Sequence, residues 1–494
     1  MFIMIKVVMI SLSSLISDGR TTALLGLTPD NVVMSRVCEA TSTENSENNA
    51  WNVNASNGNV NNNNNKNNQN SVRAWAATDY EDVAGWVDAY LDCIHKKLSS
   101  TQCGEYRIDY EEDLYHLIGE VYSQTYEPST STCFVVKRPR LREIFAAAFR
   151  DRIVQHWISI RINPLLEARF IAQGNVSYNC RKGYGTLLAI ETMQDKIARV
   201  SADYRRMAYL AKYDVQAFFM SIDKRILWAK LEPFIRENYT GDDIETLLYL
   251  TRITVFHCPQ NNCVRTGDLS LWEKLPKGKS LFDSDPNVGM PIGNLTSQLL
   301  ANFYMSFFDD MAIAYFAESG GEYERFVDDF PAADQSKERL LAFRAIARDF
   351  LWRELRLRLH EKKFYIQEAR KGMNYVGMSL RPGRKYISNT TRGHYLETLH
   401  RAEKICRQIT EKGMDLELSR DLEHAVNGIN SYLGLMSHAY SYYVRTKPLA
   451  SLHYFYRYCS VTRRALVVHV KPQHRYDNVI FKHYEYELEL RRAA

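Results

Sequence analysis

Two adjacent acidic residues, Asp328 and Asp329, stand between apolar neighbours in the segment Phe326–Phe330. Like charges side by side repel each other, and a half-buried carboxylate loses hydration, so the pair is costly unless a cation draws both charges together. The flanking residues have the pattern of short strands, which predicts a position at or beside a hairpin turn. The pattern therefore indicates a site for a divalent cation, and the alternative is a solvated turn.

A third acidic residue would complete such a site. Asp214 ends the strand-like run Tyr209–Asp214, upstream of the pair. Three carboxylates can hold two Mg²⁺ ions that activate a 3′-hydroxyl and stabilise a leaving pyrophosphate in an in-line displacement. We therefore predict that Asp214, Asp328 and Asp329 bind two Mg²⁺ ions, or Mn²⁺ as a substitute, with Val215 as a further metal contact.

Between the acidic residues, the segment Gly289–Gln298 leads into a helical pattern at Leu299–Phe308 whose apolar spacing suits packing beneath a bound base pair. In order and spacing, the three blocks resemble the reverse transcriptase family, with its first aspartate strand, glycine-turn helix and paired-aspartate hairpin. The resemblance covers roughly residues 105–445. It implies an α/β (α+β) polymerase right hand with fingers, a palm with an antiparallel sheet, and a helical thumb.

The resemblance and the composition together predict four regions along the chain. These are an Asn-rich leader (1–78), N-terminal helices and fingers (79–204), a palm with part of the fingers (205–390), and a helical thumb with a basic aromatic C-terminal region (391–494). Periodicity predicts helices at Tyr80–Leu98, Tyr110–Tyr122, Pro139–Ile158, Lys337–Leu359, Leu396–Ile409 and Leu422–Met436, and a strand at Cys133–Val136. Met373–Leu380 resembles the primer-grip hairpin of the family.

The resemblance also implies roles in binding the incoming nucleotide. The glycine-containing segment Ser177–Thr186 resembles the block that grips the triphosphate, and this role is carried to Arg181 and then to Lys182. Phe219 lies five residues beyond Asp214, where the family places an aromatic gate against the ribose 2′-hydroxyl. Phe218 and Phe219 would alternate in a strand, so one of them must enter the core, and the spacing selects Phe219 as the gate.

Further residues match family positions around the template and the leaving group. Ile292 and Gly293 in the turn, and Ser297 and Gln298 at the start of the following helix, are predicted to bind substrate. Lys363 best matches the lysine that protonates the leaving pyrophosphate, and Lys362 is the alternative.

The position of Ile292 generally carries Gln in retroviral and intron enzymes. With Ile there, and with the upstream segment Lys279–Phe282, the chain resembles the reverse transcriptases of diversity-generating retroelements. That family implies copying of a template-repeat RNA into adenine-mutated cDNA, with template RNA, an RNA/cDNA duplex, dNTPs and a small basic accessory variability determinant protein as partners. The alternatives are a retron or group II intron-like reverse transcriptase, and a non-catalytic RNA-binding scaffold, which has no reason to keep three converging acids.

Overall charge is nearly balanced, with 63 Lys and Arg against 58 Asp and Glu. Between Tyr440 and His483, however, eight basic residues and many tyrosines accompany one acidic residue, Asp477. This indicates a surface for nucleic acid or an acidic partner, and the alternative is a solvated helix face over a tyrosine-rich core.

Nine cysteines at irregular spacing indicate a reducing compartment, and the isolated pair Cys258 and Cys263 does not indicate zinc. We predict a cytoplasmic protein without a membrane segment and interpret the apolar residues 1–16 as an accident of the assigned start.

Fifteen of the 26 residues from Asn45 to Asn70 are asparagine, a composition that no packed core needs and that predicts disorder. Asparagine codons are AAC and AAT, and randomising their adenines never creates a stop codon. We hypothesise that the segment is a template repeat translated in frame, so that the functional polypeptide starts downstream of residue 70 and a chain without residues 1–75 keeps its activity. The alternative is a flexible polar linker.

Overall fold

The computed structural model describes residues 80–95, 97, 98, 100–137 and 140–480. The Asn-rich leader and its hypothesised template repeat lie outside the described residues. The described chain divides into two compact units, one formed by residues 80–128 with 149–160, the other by residues 129–148 with 161–480. This division does not coincide with the predicted boundaries at 204 and 390, so the assignment of fingers, palm and thumb stays a prediction.

Helices make up most of the secondary structure, and short strands form four small sheets. The helices are α1 (Tyr80–Ile94), α2 (Thr101–Tyr106), α3 (Tyr110–Tyr122), α4 (Phe149–Ala172), α5 (Thr186–Val200), α6 (Phe218–Ser221), α7 (Lys224–Asn238), α8 (Ile244–Phe256), α9 (Leu295–Ala317), α10 (Lys337–Leu355), α11 (Asn389–Lys412), α12 (Leu416–Ser437), α13 (Tyr442–Ala450) and α14 (Phe455–Tyr458). The strands are β1 (Ser131–Val136), β2 (Arg142–Ala146), β3 (Tyr209–Asp214), β4 (Cys263–Arg265), β5 (Glu322–Tyr323), β6 (Asp329–Asp334), β7 (Tyr365–Glu368), β8 (Met373–Tyr375), β9 (Met378–Arg381), β10 (Arg384–Ile387), β11 (Cys459–Val461) and β12 (Val468–Val470).

The first unit is helical. Its core contains the stacked indoles of Trp86 and Trp157, whose ring centroids lie 5.1 Å apart, together with buried leucines of α3. Helix α3 has the predicted bounds, whereas α1 ends at Ile94, four residues before the predicted Leu98. Among the described residues, no helix combines the length and the apolar character needed to cross a membrane.

The prediction of one helix from Pro139 to Ile158 was wrong. Residues Arg142–Ala146 form β2, which pairs antiparallel with β1, and the helix begins only at Phe149. In β2 the buried side chains alternate, with Glu143 and Phe145 both facing inward. Glu143 tolerates burial because Trp272 Nε1, Ser280 Oγ and the Leu281 amide donate hydrogen bonds to its carboxylate. Because these donors are distant in sequence, nothing near Glu143 indicated that its side chain is buried. The alternation of apolar and charged residues was therefore interpreted as a helix with one charged face.

The central sheet of the second unit has the strand order β5-β6-β3-β7, and all neighbouring strands are antiparallel. On one face, Tyr213 stacks on its strand partner Phe330, and Phe308 of α9 and Phe343 of α10 pack against these rings. On the other face, Leu210 joins a cluster with α5, β8 and β9. The sheet is thus covered by packed side chains on both faces.

Helix α9 runs well beyond the predicted Leu299–Phe308, because its buried residues continue to Phe316. The expected hairpin at Met373–Leu380 is present as β8 and β9, with the turn at Val376 and Gly377. The two helices predicted after residue 391 are present as α11 and α12 and share one apolar core. The mixed α/β architecture with an antiparallel sheet therefore agrees with the predicted fold class.

Candidate active site

Three acidic side chains lie at one end of the central sheet. Asp214 is the last residue of β3, Asp329 is the first residue of β6, and the two are register partners. Asp328 precedes β6 in the turn, and its main-chain oxygen accepts a hydrogen bond of 3.0 Å from the amide of Val215. The structure thus brings the predicted residues together through the pairing of two strands that are distant in sequence.

The turn that presents Asp328 has an unusual backbone. Phe326 and Asp329 exchange two main-chain hydrogen bonds of 2.8 and 3.1 Å, leaving Val327 and Asp328 at the tip of a tight hairpin. Val327 has φ = +61°, a left-handed conformation that is rare for a β-branched residue. Such strain persists only where the surroundings hold the backbone in place.

A buried polar network holds this turn. Arg325 donates to the main-chain oxygen of Val327 at 3.2 Å, and its guanidinium makes two hydrogen bonds of 2.6 and 2.8 Å to the carboxylate of Asp309 on α9. Asn302 Oδ1 and Tyr323 Oη complete the network. Arg325 and Asp309 are both fully buried, so the ion pair is desolvated. Removing either side chain would leave the other charge buried without a partner and would lower the stability of the fold.

Lysines neutralise two of the three carboxylates. Lys363 Nζ lies 2.6 and 2.8 Å from the two carboxylate oxygens of Asp214, and Lys212 Nζ lies 2.6 Å from Asp329 Oδ2. Lys362 makes no such contact to Asp214 among the described residues, so the geometry favours Lys363 over its neighbour. Lys212 was missed in the sequence, although its position two residues before Asp214 places both side chains on the same face of β3.

Burial and mutual repulsion perturb the acidic pair. Burial raises the pKa of Asp329 to about 6, with Lys212 opposing the shift and the charges of Asp328 and Asp214 adding to it. The pKa of Asp328 is also raised, first by burial and then by the charge of Asp214. Burial and the neighbouring acids therefore disfavour the charged forms of Asp328 and Asp329 even with lysines beside the site, and a divalent cation would favour those charged forms.

The donor set fits divalent cations such as Mg²⁺, which prefer carboxylate oxygens. Asp329 Oδ1 is buried and has no hydrogen-bond partner in the described part of the chain, so it has an acceptor site to offer. Among the described residues, no group of three or more His, Cys, Asp or Glu side chains lies in an arrangement that could hold a metal ion. The ammonium groups of Lys212 and Lys363 instead provide the counter-charge.

Phe218 and Phe219 do not alternate in a strand, contrary to the sequence argument. They lie in the short helix α6, which follows Ala217 in a left-handed conformation. Phe218 is buried, at 3% exposed, while Phe219 is partly exposed, so the residue selected by spacing is the accessible one. Its role as a gate stays a prediction.

Arg181 is paired within the protein in this structure, and its predicted role in binding a triphosphate stays a prediction. Its guanidinium donates to both carboxylate oxygens of Glu167, to the main-chain oxygen of Ser177 and to Asn175 Oδ1. The side chain is 1% exposed. Lys182 is exposed, so it has the charge that an incoming triphosphate could reach.

The turn before α9 is fitted against β2. Gly293 has φ = +125°, and a Cβ atom there would lie 2.6 Å from the main-chain oxygen of Phe145, so no larger residue fits. Ile292 accepts a hydrogen bond of 2.8 Å from the Phe145 amide, and its side chain packs on the small cluster around Met220 and Leu281. At the start of α9, Ser297 is buried and Gln298 is exposed.

Lys279 is a further basic residue near the carboxylates. Burial and the charge of Lys363 lower its pKa, while Asp328 and Asp214 raise it, so its ammonium lies within electrostatic reach of the site. The hydrogen bonds from Ser280 and Leu281 to Glu143 hold its loop. In the sequence, Lys279 stood out only as part of a family signature, without a link to the acidic residues.

Glu324 is a fully buried acid close to the turn, and it gives a pH-dependent prediction. Its carboxylate lies 3.2 Å from Lys196 Nζ, but burial outweighs this charge and raises the pKa to about 7. The folded state therefore binds the proton more tightly than the unfolded state. Its contribution to stability is complete below about pH 4.5, the ordinary range for Glu, and is lost as the pH rises through 7.

We expect Glu324→Gln to remove this pH dependence, because the amide is uncharged over the whole pH range. Relative to the parent, the variant should gain roughly 3 kcal/mol between pH 5 and pH 8 in the free energy of unfolding, measured with urea. Glu354→Gln, at an exposed position on α10, is the control and should show no such gain. A difference that does not change with pH would show that Glu324 stays ionised.

No protein-family model matches this chain, and no curated protein matches it. Similar solved structures include the apo telomerase of Candida tropicalis truncated from its C-terminal domain, with 12% identity and a TM-score of 0.39 over 53% of this chain and 56% of that chain. Another is the telomerase of Candida albicans in complex with a TWJ fragment of telomeric RNA, with 10% identity and a TM-score of 0.38 over 68% of this chain and 66% of that chain. The chain spans less than two thirds of either structure, and the likeness is too distant to assign a function.

Proposed function

We propose that this chain is an RNA-directed DNA polymerase. The observation that carries the proposal is the meeting of Asp214, Asp328 and Asp329 at one end of the central sheet, with the raised pKa of the last two and the unpaired oxygen of Asp329. Neighbouring carboxylates whose charged forms are disfavoured by burial and mutual repulsion are costly to a protein that only needs a stable fold. They suit a site whose function is to hold cations.

In this proposal the three aspartates hold two Mg²⁺ ions, and Val215 adds its main-chain oxygen because its side chain has no ligand atom. When bound, the ions supply charge stabilisation for attack of a primer 3′-hydroxyl on the α-phosphate of a dNTP. Lys363, already beside Asp214, gives a proton to the leaving pyrophosphate. Phe219 excludes a ribose 2′-hydroxyl, and Lys182 and Lys279 attract the triphosphate.

Primer extension on an RNA template tests the proposal. The purified chain should add dNTPs to an annealed DNA primer with Mg²⁺ or Mn²⁺, should discriminate against rNTPs, and should stop when EDTA removes the metal. An RNA-binding scaffold would retain the annealed template in a binding assay and extend nothing. That result would overturn the polymerase assignment.

Within this class we propose the finer function of a diversity-generating retroelement enzyme, which copies a template-repeat RNA with errors at adenine and acts with a small basic accessory protein. The support is the turn Ile292–Gln298 and the segment Lys279–Phe282, both of which lie against β2 near the acidic site. A retron or group II intron-like enzyme is the alternative, and its turn generally carries Gln in place of Ile292.

Ile292→Gln should lower misincorporation opposite template adenine. A Gln amide can form a hydrogen bond near the incoming nucleotide and thereby penalise misaligned pairs, whereas Ile only excludes volume. One such hydrogen bond is worth on the order of 1 kcal/mol, roughly a fivefold change in discrimination. Sequencing of the cDNA products measures the change directly.

Ile292→Val is the matched control, because it keeps an aliphatic side chain against the cluster of Met220 and Leu281 and should leave the error spectrum unchanged. Ile292 is partly buried, so a Gln side chain at this position should lower the stability of the fold. The cDNA error spectra are therefore compared at a temperature where both variants are folded. An error spectrum identical in the Gln variant and the parent would remove Ile292 from the explanation of fidelity.

A further inference from the structure

Tyrosine and basic side chains gather where the β9–β10 turn meets the end of α12 and the start of α13. We name this set the Tyr440 surface; it consists of Arg384, Lys385, His438, Tyr440, Tyr442 and Tyr443. A hydrogen bond of 2.8 Å from the Tyr440 amide to the main-chain oxygen of Lys385 joins the two segments. The surface contains none of the residues that the proposed polymerase reaction uses.

The tyrosines of this surface are unusually exposed. Tyr440, Tyr442 and Tyr443 are 64%, 54% and 80% exposed, although they lie within four consecutive positions. Further along the chain, Phe455 is fully buried and Tyr454 and Tyr458 pack on the core of α11 and α12. The tyrosine-rich core considered from the sequence therefore includes Tyr454 and Tyr458, whereas Tyr440, Tyr442 and Tyr443 are exposed.

Four residues of the surface, Arg384, Lys385, His438 and Tyr440, line part of an open pocket of about 320 Å³. This volume is at the lower end of the range of protein sites that bind small molecules. The phenol ring of Tyr440 forms one wall, with the ring of Tyr386 6.0 Å away. A flat aromatic group could therefore enter beside an aromatic wall.

The charge around the pocket is positive. Arg384 lies 5.4 Å from the ring centre of Tyr440, and in the described part of the chain its guanidinium contacts tyrosines and no carboxylate. Lys385 Nζ lies 3.2 Å from a carboxylate oxygen of Glu191, and no acidic residue lines the pocket among the described residues. The Arg384 guanidinium can therefore form an ion pair with an external anion.

We propose that the Tyr440 surface binds single-stranded nucleic acid, with bases stacked on its tyrosines and phosphates paired with Arg384 and Lys385. Stacking of unpaired bases on aromatic rings beside a basic track is the way in which proteins hold single strands without reading sequence. A duplex keeps its bases stacked on each other and offers these rings no free face. The proposal goes beyond the polymerase function and does not depend on it.

Fluorescence anisotropy of the full chain with short labelled oligonucleotides tests the proposal. Without divalent metal, Tyr440→Ala/Tyr443→Ala should weaken binding of single-stranded RNA and DNA about tenfold or more and should change duplex binding little. Tyr440→Phe/Tyr443→Phe should restore single-strand binding, because phenylalanine also stacks. Tyr115→Ala, at an exposed tyrosine of α3, is the matched control.

Arg384→Gln should reduce the slope of log affinity against log salt for single strands by about one. A loss restricted to RNA or to DNA would identify the strand that the surface binds. Unchanged single-strand affinity of the double alanine variant, or an equal loss on duplex, would overturn the proposal. These outcomes do not depend on whether the chain extends primers.

Discussion

Asp328→Asn should reduce primer extension at least about a hundredfold, the scale on which loss of one electrostatic contact to a transition state is felt. The substitution removes a charge that the proposed metal site needs, while it keeps the size of the side chain. Since the pKa of Asp328 is raised in the folded protein, its charged form opposes folding at neutral pH. The variant should therefore unfold at the same temperature as the parent or a slightly higher one.

Asp349→Asn is the matched control, because Asp349 lies exposed on α10 and pairs with the exposed Arg353. It should keep full activity. Extension rates and thermal unfolding are measured on the same preparations, so that a loss of activity cannot be mistaken for a loss of fold. If Asp328→Asn protein extended primers at the parental rate, the assignment of the acidic site would be wrong.

Arg325→Met should destabilise the protein by about 3–5 kcal/mol, because it leaves the carboxylate of Asp309 buried without its cation. Few single substitutions in this chain should cost more. Urea unfolding measures the loss. Arg353→Met, which breaks an exposed ion pair on α10, should cost less than about 1 kcal/mol and serves as the control.

The double variant Arg325→Met/Asp309→Leu separates stability from activity. Replacing both members of a buried ion pair by apolar residues is often neutral or stabilising, so most of the lost stability should return. Activity should stay at least about tenfold below the parent, because the main-chain oxygen of Val327 has lost its donor and small displacements of catalytic groups are costly. Full activity in the stable double variant would show that Arg325 does not position the Asp328 turn.

Local patterns in the sequence were sufficient to find the acidic residues and most helices. The order of Asp214, the glycine turn and the Asp328–Asp329 pair predicted that the three carboxylates meet, and the strand register brings them together. The bounds of α3 and the positions of α11 and α12 also followed from periodicity, and the hairpin of β8 and β9 was expected from the resemblance of Met373–Leu380 to a family hairpin. The helices depend on residues near one another in the chain, where spacing is a sufficient guide, whereas the pairing of Asp214 with Asp329 joins distant strands.

Long-range contacts decided what local patterns could not. Residues Arg142–Ala146 form a strand because Trp272, Ser280 and Leu281 satisfy the buried carboxylate of Glu143. The guanidinium of Arg181 is buried against Glu167, and Lys182 has the exposed charge.

The environment of the acidic site was likewise decided by tertiary structure. Nothing in the spacing of Asp328 indicated that Arg325 holds the neighbouring main chain, or that Lys279 lies within reach of its charge. The sequence determined which residues carry the charge, because residue type is sufficient for that. Only the fold decided which charges are neutralised, buried or exposed, because desolvation and pairing depend on neighbours that the chain brings together from distant positions.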